Sequence, residues 1–214
     1  MIKKYELIIF DLDGTLLDTS KGIFNSVRYA ENQMGFSKIS DELLKQFVGP
    51  PPKLMYMKHY GVNEEMALEA AKKHREYGRT KAVFEAEVYE GMVEVLNTLR
   101  ANGYKLAVAT LKSQAIAETV LENFKLREYF DCIVGMDVDE TLTKCMTIKL
   151  AMQNTNADGK TVMIGDSPYD YEGALEANVD FIGVTYGFGF DVEKIAEFGF
   201  SVASSPKNIL GLVL

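Results

Sequence analysis

One interruption limits the fold of this chain more than any other feature. A short apolar run, Leu7–Phe10, reads as a buried strand, yet nothing between about residues 15 and 87 reads as its sheet partner. A structureless loop of that length is not tolerated inside a compact domain. The interval instead reads as successive helices, Thr19–Met34, Asp41–Phe47, Lys53–Tyr60 and Glu64–Gly78, punctuated by Gly35, the Gly49-Pro50-Pro51-Pro52 run and Gly61. Beyond it, strand and helix patterns alternate. Apolar runs at Lys105–Ala109, Cys132–Gly135, Thr161–Ile164 and Phe181–Val184 mostly lack strict polar alternation, as strands covered on both faces do. Ile116 and Val120 stand at helical spacing behind Ser113, and Ile148 and Ala151 behind Thr143, so both polar residues are expected N-caps. The expected fold is α/β: a three-layer α/β/α, doubly wound parallel sheet of the Rossmann type, with an all-helical insert after the first strand. The core is expected at residues 1–15 and 88–214, and the insert at 16–87.

Composition fits such a core. The chain has 214 residues, 47% of them hydrophobic and 25% charged, which excludes a disordered, collagenous or disulfide-stapled protein. Lys and Arg total 23 against 31 Asp and Glu, a net charge of -8 that repels polyanions, so no nucleic-acid partner is expected. Cys132 and Cys145 are too few and too isolated for a disulfide framework or a thiolate zinc site. No apolar run approaches the roughly 20 residues of a membrane span, and the N-terminus carries no signal-peptide pattern. A cytoplasmic protein with no membrane partner is expected.

The chemistry gathers at strand ends. The first strand closes in Asp11-Leu12-Asp13-Gly14-Thr15-Leu16, and open parallel sheets place their sites at the carboxyl ends of strands. Two carboxylates two residues apart on an extended chain point the same way and repel unless a cation sits between them. Gly14 lets the chain turn away; a solvated acidic turn is the plain alternative. Near the far end, Val162-Met163-Ile164 leads into Gly165-Asp166-Ser167-Pro168-Tyr169-Asp170. If a helix starts near Pro168, Asp166 and Asp170 flank its N-terminus, where Asp alone is read as a cap. Acidic residues at two strand ends together point to a divalent cation with oxygen ligands. Magnesium is preferred because it binds through a few carboxylates, keeps waters and pairs with phosphate. An anionic group needs positive partners too. Thr110 and the helix start that follows could grip phosphate oxygens, and Lys144 opens a helix after the next strand. Alone, either would be read as surface decoration.

Together these residues resemble the haloacid dehalogenase superfamily over nearly the whole chain. Asp11-x-Asp13-Gly14-Thr15 is similar to its first motif, Thr110 to its second, Lys144 to its third and Gly165-Asp166-x-x-x-Asp170 to its fourth; the helical insert is similar to its cap. Gly183-Val184-Thr185-Tyr186-Gly187-Phe188-Gly189, with Tyr89-Glu90-Gly91, is most similar to the phosphoglycolate phosphatase and 5′-nucleotidase-like branch. The resemblance implies a magnesium-dependent phosphatase acting on a small phosphorylated metabolite, of the phosphoglycolate or nucleoside monophosphate type, through an aspartyl-phosphate. It implies Asp11 as nucleophile, Asp13 as general acid and base, and Lys144 as charge stabiliser. It implies Mg2+ held by Asp11, the Asp13 backbone carbonyl, Asp166 and, directly or through water, Asp170. Thr110, Leu111, Gly14 and Lys144 would bind the phosphate, Leu111 through its backbone because it stands where the family usually has a small polar residue. Lys53, in the Gly49–Lys53 loop, would meet the leaving group. The expected assembly is a monomer or a weak homodimer.

Other readings share the core. A phosphosugar mutase of the β-phosphoglucomutase type would carry an Arg where this chain has Gly49-Pro50-Pro51-Pro52-Lys53. A phosphate-binding module on a dead core would lack a charged participant, and none is missing. A dehalogenase would lack the carboxylate of Asp13, since a halide needs no proton. A phosphonatase would need a Schiff-base lysine, and neither Lys53 nor Lys58 is singled out. His59 and His74 are read as surface or satisfied helix residues; Arg75 stands where cap helices of this branch tend to be basic, and solvent exposure explains it equally well.

Overall fold

The computed structural model describes residues 3–138, 140–190 and 195–214, so the ends and gaps of the expected core outside these ranges lie beyond the described residues. The elements in chain order are β1 (Leu7–Phe10), β2 (Leu17–Asp18), α1 (Ser20–Met34), α2 (Asp41–Lys45), α3 (Pro52–Tyr60), α4 (Glu64–Thr80), β3 (Glu87–Val88), α5 (Met92–Ala101) and β4 (Lys105–Ser113). There follow α6 (Gln114–Asn123), β5 (Cys132–Met136), α7 (Lys144–Asn154), β6 (Thr161–Gly165), α8 (Pro168–Ala177), β7 (Asp180–Val184), β8 (Ser201–Ala203) and α9 (Pro206–Val213).

The large sheet is parallel throughout, in the order β5-β4-β1-β6-β7-β8. Side chains alternate across it as strand geometry dictates. Ile8 and Phe10 of β1 pack with Leu106, Val108 and Ile164 under α5, α6 and α9, while Leu7 and Ile9 pack with Ala107, Ala109 and Met163 under α7 and α8. Both faces are covered, which explains why the strands read as continuous apolar runs. From β1 the chain winds outward through β4 and β5, then returns to the other side of β1 with β6. The order therefore reverses between β1 and β6, and in open α/β sheets the crevice beyond such a reversal is where ligands bind.

The helical stretch forms its own small core. Ile23, Val27 and Ala30 of α1 pack against Leu44, Phe47 and Tyr56 and against Ala67, Ala70 and Ala71 of α4. Inside it the buried Glu31 accepts hydrogen bonds from Arg28, the Ile39 amide and the Tyr60 hydroxyl. Its two ends are tied by an antiparallel pair, Leu17 opposite Val88 and Asp18 opposite Glu87. Among the described residues, no helix is long and apolar enough to cross a membrane.

The sequence expectations differ from this fold at a few points. β8 had no apolar run to announce it: Ser201-Val202-Ala203 is short and joins the sheet only because β7 offers an open edge. The β2–β3 pair is shorter still. β4 continues past Ala109 to Ser113, with its register against β5 shifted in between. Thr143 caps α7 as expected, accepting from the Met146 amide at 3.3 Å. Ser113 does not cap α6. It occupies the N-cap position, but its hydroxyl makes no capping bond and is buried without a partner.

Candidate active site

Asp11 stands directly beyond the last residue of β1, its amide donating to the Ile164 carbonyl of β6 at 2.8 Å. That bond stitches the two strands flanking the reversal and sets Asp11 beside Asp166. The chain must then leave the sheet at once. Gly14 does this at φ 79°, in the left-handed region that favours glycine, and a side chain there would collide with the Asp166 carboxylate. Asp166 is held from beyond: its Oδ2 accepts from the amides of Phe188 at 2.7 Å and Gly189 at 3.2 Å. Asp170 belongs to the first turn of α8. There it completes a capping box, its Oδ2 accepting from the Ser167 amide at 3.0 Å and the Ser167 hydroxyl at 2.7 Å.

Among the described residues, one cation enters this group. Lys144, the first residue of α7, is buried and brings its Nζ to 2.5 Å from Asp11 Oδ1 and 2.6 Å from Asp170 Oδ1. Gly173 of α8 makes room for its stem, since a Cβ there would meet the Lys144 side chain. Carboxylate oxygens of Asp11, Asp166 and Asp170 lie within 4.8 Å of one another, an arrangement that could hold a metal ion. The electrostatics follow from burial. Desolvation lifts the Asp11 carboxyl to about 7, against the pull of Lys144 and with the push of Asp170 and Asp13. Desolvation, reinforced by Asp170 and Asp11, likewise raises Asp166 well above its usual range. Burial opposes the charge on Lys144, but Asp11 and Asp170 outweigh it and its pKa rises.

Asp13 lies outside this triad. Lys112 Nζ reaches both of its carboxylate oxygens, at 2.8 and 2.9 Å, and the Thr19 hydroxyl donates to Oδ1 at 2.5 Å. Thr110 is buried at the edge of the same site, its hydroxyl accepting from the Lys112 amide at 3.2 Å. Leu111 and Lys112 line a cavity of about 80 Å³ between the helical insert and the sheet, with Asp13, Phe47, Pro51, His74 and Arg75 also on its wall. Lys53 is not gathered to the carboxylates. It pairs with Glu64 at 3.1 Å and lines a second, outer cleft that also reaches Lys144. His74 is a buried, satisfied helix residue, its Nδ1 3.4 Å from the Tyr56 hydroxyl. Of the two readings left open for Arg75, plain solvent exposure does not hold: it is partly buried and pairs with Glu140 of the loop after β5.

Sequence reasoning missed Lys112 and Thr19 as partners of Asp13, although Lys112 directly follows Thr110-Leu111 in β4. It gave Gly187 and Gly189 no place in the site beyond the branch resemblance. That loop does serve the site, since its backbone approaches Asp166 where any side chain at position 187 would clash.

A switch-point crevice lined by buried carboxylates, with a lysine neutralising one of them, defines an α/β enzyme whose chemistry runs on carboxylate groups at strand ends. The chain belongs to the haloacid dehalogenase-like hydrolase family, whose model matches residues 8–184. Its relatives include proteins named as phosphatases and, at 32% identity over 86% of this chain, a tyrosine-protein kinase of Mycobacterium tuberculosis. The chain is 36% identical over 192 residues to a 5′-nucleotidase of Pseudomonas aeruginosa, covering 89% of this chain and 87% of that one. It is 30% identical over 189 residues to a phosphoglycolate phosphatase of Agrobacterium fabrum, covering 85% and 81%. A crystal structure titled as a predicted phosphatase from Clostridium acetobutylicum superposes with a TM-score of 0.88 at 41% identity, over 97% of this chain and 99% of that one.

Proposed function

We propose that the chain is a phosphatase cleaving a small phosphomonoester, of the phosphoglycolate or nucleoside monophosphate type, with magnesium bound and with a covalent aspartyl-phosphate on Asp11. The charge balance at the end of β1 carries the reading. Buried carboxylates of Asp11, Asp166 and Asp170 face the ammonium of Lys144, and burial holds the carboxyl groups of Asp11 and Asp166 above their ordinary range. Such a surplus of buried negative charge fits a divalent cation, and an all-oxygen donor set fits magnesium better than a softer metal. Asp11, Asp166, Asp170 and the Asp13 backbone carbonyl would hold it. When bound, the ion supplies positive charge that lets an anionic ester approach an anionic nucleophile.

The residues then divide the work. An Asp11 oxygen forms a bond to phosphorus as the bond to the leaving oxygen breaks, and Asp13 delivers a proton to that oxygen. In the second half Asp13, now ionised, takes a proton from water; the water oxygen attacks phosphorus, the bond to Asp11 breaks and phosphate leaves. Lys144 keeps Asp11 anionic and oriented, and its charge offsets that of the phosphoryl oxygens. Thr110, with the backbone of Leu111 and Gly14, binds the non-bridging oxygens. Residues 16–87 act as a cap over the core formed by 1–15 and 88–214, closing about the β2–β3 pair. Asp13 lines the inner cavity, so the leaving group extends into it, and a volume of about 80 Å³ favours one of the phosphoglycolate type over a nucleoside. Lys53, held by Glu64 at the outer cleft, meets only a leaving group long enough to reach it.

Asp11→Asn tests the assignment. It keeps the shape of the side chain and removes its nucleophilic charge, so turnover of a phosphomonoester panel with magnesium should fall by about a thousandfold or more, with the circular dichroism spectrum unchanged. Turnover retained by that variant, or undiminished in wild type after chelation of divalent ions, would refute it.

A further inference from the structure

Two cavities meet over the core, and their shared wall is small. The inner one contains Asp13, His74 and Lys112; the outer cleft contains Lys53, Lys144 and Tyr169 and is bordered by the exposed apolar side chains of Leu54, Leu68 and Val138. Pro51, Arg75, Leu111, Met136 and Glu140 line both. Among the described residues that line both, Arg75 and Glu140 carry charge, and they are bonded to each other. Arg75 comes from α4 of the insert and Glu140 from the loop between β5 and α7, 65 residues apart in sequence. Their side chains are 23% and 24% exposed, so the pair is neither a surface ornament nor sealed in the interior.

The loop is built to present Glu140. Asp137 Oδ1 accepts from the amides of Thr141 at 2.8 Å and Leu142 at 3.1 Å, and its Oδ2 accepts from the Thr141 hydroxyl at 2.7 Å. Glu140 itself sits at φ 54°, in the left-handed region, and its amide donates to the Asp137 carbonyl at 3.3 Å. A glutamate has no intrinsic preference for that conformation, and residues held in it at a site edge are commonly held for function.

We propose that Arg75 and Glu140 set the size of leaving group this phosphatase accepts, by closing the neck between the inner cavity and the outer cleft. The inference rests on Asp11 and Asp13 acting as assigned above, since only then does the leaving group enter at the Asp13 side. While the pair is formed, the leaving group is confined to the inner cavity. Once it is broken, a longer leaving group extends between Leu111, Met136 and Pro51 into the apolar outer cleft. Arg75 and Glu140 are specificity determinants and touch neither the phosphoryl group nor its nucleophile.

The test compares kcat/KM for 2-phosphoglycolate and for 4-methylumbelliferyl phosphate, with magnesium, in wild type, Glu140→Gln, Arg75→Gln and the reversed pair Arg75→Glu with Glu140→Arg. Each single variant should raise the ratio of bulky to small ester by about tenfold, chiefly through KM for the bulky one. The reversed pair should return the ratio to near the wild-type value, which a loss of folding or a general loosening would not do. A ratio unchanged in both single variants, or a reversed pair that behaves like them, overturns the proposal. Wild type hydrolysing no member of the phosphomonoester panel would overturn the phosphomonoester reading and this inference with it; hydrolysis of other members but of neither ester, or activity on either one with no change in the ratio, overturns the inference alone. Glu140→Gln is nearly isosteric, so it keeps the test informative should the reversed pair fold poorly.

Discussion

Around Asp11 the ammonium of Lys144 is bonded to two carboxylates, Asp11 and Asp170, while a third, Asp166, shares the same buried volume. Removing one member of a buried ion pair leaves an uncompensated charge in a medium that solvates it badly, which costs far more than the pair contributes net. Lys144→Met should therefore lose about 3 kcal/mol of stability in urea unfolding with divalent ions chelated, as well as nearly all turnover. An unfolding midpoint equal to that of wild type would show that the carboxylates do not need this cation. The identity of Lys144 as a candidate was legible from its place at a helix start after a strand. Its two ion pairs, with Asp11 and Asp170, were not, because one partner follows β1 and the other lies in the first turn of α8. The same holds for Asp13, where the acid was visible and the Lys112 and Thr19 that hold it were not.

At the level of elements, local chemistry was the better guide. Asn63 accepts from the Met66 amide at 2.9 Å and starts α4, and Ser40 and Thr143 do the same for α2 and α7. Such caps satisfy amides that the helix itself leaves unpaired. Asn63→Ala should cost about 1 kcal/mol in urea unfolding while kcat/KM stays at the wild-type value, since α4 starts away from the carboxylates; a loss of activity without a loss of stability would contradict the cap as its only role. Ser113 shows the limit of the same reasoning. Its type and position suited a cap, but β4 runs on to it and its backbone leaves the strand without turning the hydroxyl toward the α6 amides. The tail of the sheet shows the limit for strands: β8 has too few apolar residues to be recognised alone and exists by pairing with β7.

On the scale of the whole molecule, the insert carries a titratable group that ties folding to pH. His74 lies buried between Tyr56 and the cations Lys112 and Arg75; burial first, then those two charges, push its pKa down to about 3. The folded state thus refuses a proton that the unfolded chain accepts below about 6.5. Stability should fall as pH drops through that window, by about 1.4 kcal/mol per unit from this group, and be insensitive to it above. Urea unfolding at pH 7 and pH 5 should show wild type losing about 2 kcal/mol more than His74→Phe, and equal losses in the two would remove His74 from the account.

Much of the architecture follows from neighbours along the chain. Apolar runs covered on both faces, helix starts, and a stretch of helices where a strand was due are all set by residues within a few positions of one another, and so are the acids at the ends of β1 and β6. What brings those acids together is the strand order. Asp11 meets Lys144 across 133 residues only because β4 lies on one side of β1 and β6 on the other. The grip of Phe188 and Gly189 on Asp166, the bond from Lys112 to Asp13 and the closure of Arg75 on Glu140 depend likewise on how separate elements pack. Periodicity specifies which face of an element is buried; it carries no information about which distant side chain will stand opposite.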